Sequence, residues 1–99
     1  MKGYIVCVYE SIKDDETLKK YAIKARTAVE KHDGKFLIRG GKFEILEGKN
    51  EYERNVVIEF PSIDIARKFY NSKEYQEAKS FRDGKANFNA IIIEGFNTE

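Results

Sequence analysis

One cysteine, one proline and one histidine among 99 residues exclude several kinds of protein before any motif is read. Cys7 alone cannot close an internal disulfide, and its place in an apolar run suits core packing in a reducing, cytoplasmic setting. One cysteine and His32 fall short of the three or four protein ligands that a zinc site takes. His32 also stands at the end of an apolar helix stripe, badly placed to ligate a haem iron. No metal and no cofactor is therefore expected. Charge of one sign is lacking too: 18 basic residues against 17 acidic leave a net charge of +1. Without a basic excess or stripe, neither nucleic acid nor an anionic membrane is an expected partner. No apolar run approaches the ~20 residues of a membrane span. Met1-Lys2 leads straight into a strand-like run, so no signal peptide is expected. Neither a Gly-rich phosphate loop nor a Gly-x-Ser-x-Gly elbow occurs.

What is present fits one domain over 1–99, with hydrophobic residues at 41% and no low-complexity segment. Gly3 to Glu10 is apolar on both alternating sets, the pattern of a central strand buried on both faces. Asp14 and Asp15 offer a helix cap. Leu18, Tyr21, Ala22, Ala25, Ala28, Val29 and His32 then form one apolar stripe, with Gly34 expected to end the helix in the left-handed conformation. Lys35 to Arg39 reads as a strand interrupted by a Gly40-Gly41 bulge and resuming through Phe43, Ile45 and Leu46. Gly48 to Glu53 is a polar turn and Asn55 to Phe60 a strand. Ser62 caps a helix striped by Ile65, Ala66, Phe69 and Tyr70. Asn71-Ser72 recaps a shorter helix, and Asn87 to Glu94 is the last strand.

The order β-α-β-β-α-β predicts an α+β, ferredoxin-like fold: a four-stranded antiparallel sheet with its helices on one face. The first strand and the alternation of Val57, Ile91 and Ile93 nevertheless make the other face apolar. A sheet with two apolar faces and helices for only one needs a partner, and a second copy through the uncovered face is expected.

The runs Lys31-His32-Asp33-Gly34-Lys35-Phe36-Leu37-Ile38-Arg39-Gly40-Gly41 and Val57-Ile58-Glu59-Phe60-Pro61-Ser62 are the longest of a specific series. With them go Leu46-Glu47-Gly48, Arg54, Tyr70-Asn71-Ser72-Lys73-Glu74-Tyr75-Gln76, Arg82 and Glu94-Gly95. In this order, over almost the whole chain, they resemble the domain of unknown function 1330 (DUF1330) family. The resemblance implies a dimeric α/β barrel, two ferredoxin-like units whose sheets face each other. Its wider superfamily holds small monooxygenases, lactone isomerases and haem enzymes, and the family itself has no established chemistry. Asp33 departs from the family's more usual His-Gly-Gly and should affect only the helix-ending turn.

The polar candidates are Arg39, Arg54 and Arg82 with Glu59, and Tyr75 in the recapped helix. Glu59 shares the strand phase of Val57, so its carboxylate is expected inside the covered interior, where it must find a cation or a proton. Arginine offers a two-pronged donor set for such a carboxylate or for that of a ligand. Arg39, Arg54 and Glu59 are expected around one cleft at the barrel mouth, either as a ligand site or as a structural ion-pair cluster. Glu59 and His32 are the catalytic candidates, although packing or helix capping accounts for His32. Two functional readings follow. The first is a small homodimer binding a small organic molecule, an acidic one among the candidates, between sheet and partner, with or without cofactor-independent chemistry. The second is a non-catalytic interaction or regulatory module with structural arginines. A cavity of ~300 Å³ or more reaching Glu59 favours the first. Whether the protein is an enzyme is left open.

Overall fold

The computed structural model describes residues 1–49 and 52–97. Seven elements follow in chain order: β1 (Gly3–Ile12), α1 (Asp15–Lys31), β2 (Lys35–Arg39), β3 (Arg54–Phe60), α2 (Ile63–Tyr70), α3 (Lys73–Lys79) and β4 (Ala86–Glu94). The strands form one antiparallel sheet in the order β2-β3-β1-β4. This is the ferredoxin-like arrangement, with the second helical segment split by Asn71 and Ser72.

Side-chain alternation decides which face the helices cover. Ile5, Cys7 and Tyr9 of β1 and Val56, Ile58 and Phe60 of β3 are buried together with Tyr21, Ala25, Ala28 and Val29 of α1. Ala66 and Phe69 of α2 and Tyr75 and Ala78 of α3 complete that core. Three short polar side chains start the helices by accepting otherwise unpaired backbone N–H groups: Asp14 from Thr17, Ser62 from Ile65 and Ser72 from Tyr75. The Ser72 hydroxyl also donates to the Phe69 carbonyl at 2.7 Å, tying α3 to the end of α2.

The opposite face is bare. The register aligns Ile38, Val57, Val6 and Ile91 in one row across all four strands. The next row is Lys35, Glu59, Tyr4 and Ile93. Ile91 is 58% and Ile93 49% exposed, high values for isoleucines on a sheet face. The chain after β2 lays Lys42 and Phe43 beside the same face, where a groove runs along Val6, Ile38 and Val57.

Four local expectations are corrected. The strand does not resume after the glycine pair: residues 41–46 are irregular and exposed. The irregularity in β2 lies between Phe36 and Ile38 rather than at Gly40-Gly41. Asp33, at φ 59°, takes the left-handed turn expected of Gly34. Gly34 is required for space instead, because a Cβ there would stand 2.7 Å from both Phe60 and Val29. Paired bonds from Gly34 N to Val29 O (2.9 Å) and Asp33 N to Glu30 O (3.2 Å) close α1 in a Schellman motif. β1 extends two residues past its expected end, through a register shift between Tyr9 and Ser11. The polar turn expected at Gly48 to Glu53 falls in part outside the described residues.

Candidate functional site

A narrow cavity of about 40 Å³ lies between the covered sheet face and the helices. A single buried water needs roughly 10–15 Å³ of such space, so this volume suits about three waters or a small anion. Arg39 and Arg54 stand among its lining residues with Phe36, and Tyr9, Tyr21 and Tyr75 reach it from the core. Among the described residues no carboxylate and no imidazole lines it.

The irregularity at Leu37 brings the two arginines together. Phe36 pairs with Ile58 on the covered face, and the extra residue shifts Ile38 to the bare face, opposite Val57. Arg39 then pairs with Val56 and shares the covered face with Arg54, which pairs with Tyr9. Strict alternation would have put Arg39 on the face of Glu59. Gly40 makes room for Arg54: a Cβ there would lie 2.9 Å from the guanidinium carbon. Arg39 stacks over the Phe36 ring at 4.5 Å. Among the described residues neither guanidinium forms an ion pair.

Behind the cavity lies a buried polar chain. The Tyr21 and Tyr75 hydroxyls are 2.9 Å apart, and Arg82 Nη2 donates to Tyr75 Oη at 3.3 Å. The Arg82 guanidinium lies 3.7 Å from the centre of the Phe88 ring, and the residue is 6% exposed. Its only carboxylate contact among the described residues is a 3.9 Å approach to the half-exposed Asp83, and its Nε has no partner. Burial pushes the Tyr21 phenol well above its usual range, and raises that of Tyr75 against the pull of Arg82. Burial likewise lifts the Cys7 thiol and the Tyr9 phenol to about 12 each. Cys7 lines the cavity but is a neutral thiol there, not a nucleophile.

Glu59 does not join the arginines. It projects from the bare face, half-buried, accepting from Lys2 Nζ at 3.0 Å and from Tyr4 Oη at 3.2 Å. The Lys2 hydrogen bond, with help from Tyr4, holds its carboxyl below the usual range. The expected meeting of Arg39, Arg54 and Glu59 is thus corrected to two arginines on one face and a lysine-paired carboxylate on the other. His32 stands off the cavity as well. It is the C-cap residue of α1, its Nδ1 donates to the Ala28 carbonyl at 2.8 Å, and its ring meets Phe69 edge-on. Tyr75 and Arg82 do meet, directly, and Tyr21 joins them through Tyr75; the sequence placed Tyr21 only in a packing stripe. A tyrosine on a core-facing stripe is itself a signal, because its buried hydroxyl needs a partner.

Among the described residues no helix is long and apolar enough to cross a membrane, and no group of three His, Cys, Asp or Glu is placed to hold a metal ion. A family model described as a domain of unknown function (DUF1330) matches residues 2–96. No curated protein matches the chain. Solved structures of similar fold include a Rhodopseudomonas palustris protein of unknown function, 16% identical, with a TM-score of 0.75 over 97% of this chain and 83% of that one. A dimeric ferredoxin-like protein of unknown function from Jannaschia sp. CCS1 is 9% identical, with a TM-score of 0.67 over 96% and 100% of the two chains. SnoaB, a cofactor-independent oxygenase from Streptomyces nogalater, is 8% identical, with a TM-score of 0.66 over 98% and 95%. At these identities the likeness is one of fold.

Proposed function

The chain belongs to the DUF1330 family, and from that premise we propose that it is a small homodimer that binds a small organic anion at the mouth formed by Arg39 and Arg54. The observation that carries the reading is the pair itself: two guanidinium groups lining one cavity, with no acidic residue in its lining among the described residues. Each offers a planar donor fork matched to a carboxylate. Phe36 supplies an apolar platform beside them.

Dimerisation rests on the bare sheet face. The row Ile38-Val57-Val6-Ile91 and the neighbouring Phe43 make it too apolar to face water alone. The similarly folded Jannaschia protein is described as dimeric. A lone buried thiol suits a cytoplasmic home. Binding is favoured over catalysis, since Glu59 and His32, the proton-transfer candidates, both lie off the cavity lining.

Calorimetric titration with benzoate tests the mouth. Saturable binding is expected, weakened at least tenfold in both Arg39→Met and Arg54→Met. Each variant should lose under ~1 kcal/mol of folding stability, because neither arginine is ion-paired among the described residues. Absence of binding to the wild type, or weakening that merely follows unfolding, would sink the reading. The 40 Å³ volume favours a second one, an interaction module with no ligand, since small-molecule pockets run to about 300 Å³ or more.

A further inference from the structure

Arg82 is a permanent charge held out of water. Such a charge needs a counter-ion or a full set of hydrogen bonds, and the described residues give it neither. Its contact with Asp83 is at the outer limit of an ion pair, and Nε is unsatisfied. Phe88 and Tyr21 offer ring faces, which attract the cation without neutralising it. Tyr75 and Tyr21 cannot serve as the counter-ion either, because burial keeps both phenols protonated at neutral pH.

The hydroxyl protons point the same way. Arg82 donates to Tyr75, and either hydroxyl can be the donor in the Tyr21–Tyr75 bond. Two phenolic protons then serve one Tyr–Tyr bond, and an acceptor beside Tyr21 would draw the remaining one to that hydroxyl. Tyr21 and Tyr75 both line the 40 Å³ cavity, and among the described residues no acidic side chain does. We infer that this cavity binds a small monovalent anion, of halide or formate size, which accepts from the Tyr21 hydroxyl and offsets the charge of Arg82. Tyr21 is the contacting residue; Tyr75 and Arg82 position it. The anion is either a free ion or the carboxylate end of the organic anion proposed at the mouth, and in the second case the inference rests on that reading.

The test uses the full-length protein, exchanged into a gluconate buffer and titrated with formate or chloride at constant ionic strength. Melting temperature and the line width of the chloride nuclear resonance are the two readouts. Expected are a saturable rise in melting temperature and a broadened chloride signal, with affinity reduced at least tenfold in Tyr21→Phe and retained in Lys20→Glu, an exposed position outside the cavity lining. Tyr21→Phe keeps the ring in the core, so the test survives if Arg82→Met fails to fold. Competition between benzoate and formate identifies the anion as the ligand's own carboxylate, whereas simultaneous binding identifies a free ion. A response that is linear and equal for gluconate, or one unchanged in Tyr21→Phe, overturns the inner site. Loss of benzoate binding alone, with formate binding intact, instead condemns the reading of the mouth.

Discussion

Val57→Lys is the most direct probe of the proposed dimer. Val57 lies in the row that crosses the bare face, between Val6 on one side and Ile38 on the other. In an isolated protomer the position is only half-buried, so a lysine there can extend its ammonium into water and costs the fold little. In a face-to-face dimer the same ammonium is shut into an apolar layer, at a cost of about 3 kcal/mol or more for an unpaired buried charge. A two-fold interface contains the substitution twice. The combined cost is therefore about 6 kcal/mol, equivalent to roughly a ten-thousandfold weaker dissociation constant. Sedimentation velocity from 1 to 100 µM reads this directly. The wild type should sediment at twice 11.5 kDa and Val57→Lys as a monomer with an unchanged circular dichroism spectrum. Lys20→Glu, on the exposed side of α1, should remain dimeric. A wild-type mass of 11.5 kDa across the range, or a dimeric Val57→Lys, rules out pairing through this face.

Other consequences are as easily measured. Asp33→Gly should raise stability by about 0.5–1 kcal/mol in urea denaturation at fixed protein concentration, since Asp33 holds φ 59° at the negative end of α1; a loss of stability would contradict the Schellman geometry. Glu59 and Asp14 have lowered carboxyl pKa values, so the stability they confer is present above the unfolded carboxylate range, near pH 4.5 and 3.8, and is lost as pH falls through the lower folded values. Lys2→Met should remove the Glu59 share of that acid dependence, and an unchanged acid-unfolding profile would argue against the Lys2–Glu59 pair. Cys7, with its thiol raised to about 12 by burial, should resist aromatic disulfide reagents at pH 8 in the native state and react once unfolded. Rapid native labelling would show that the core opens around it.

Sheet, helices and caps were legible because each rests on a local signal. Asp14, Ser62 and Ser72 announce helix starts, and the two-sided apolar pattern of Tyr4 to Tyr9 marks a central strand. The site was less legible because its geometry depends on one extra residue. Leu37 leaves no mark in the sequence, yet it exchanges the faces of everything after it in β2 and sends Arg39 to Arg54 rather than to Glu59. Glu59 has a partner 57 residues away, near the chain's beginning, which no periodicity connects to it. Gly34 and Asp33 show a finer ambiguity: a glycine after a helix suggests the left-handed turn, but here close packing against Phe60 and Val29 is what requires it.

The strand order also makes the two edges of the sheet unequal. β2, on one side, has five residues, is broken by the irregularity at Leu37 and begins and ends on a charged side chain, all features that discourage another strand from adding to it. β4, on the other, runs nine residues through Ala90-Ile91-Ile92-Ile93, with no strand beyond it among the described residues. A molecule with one blunt edge and one receptive edge can add copies at β4, edge to edge, a route to aggregation rather than to a closed pair. Burying Ile91 and Ile93 face to face removes apolar side chains from that receptive strand. A variant that weakens face-to-face pairing should then lose solubility as well as its partner, and Asn87, Asn89 and Glu94 would be the polar residues left to guard the edge.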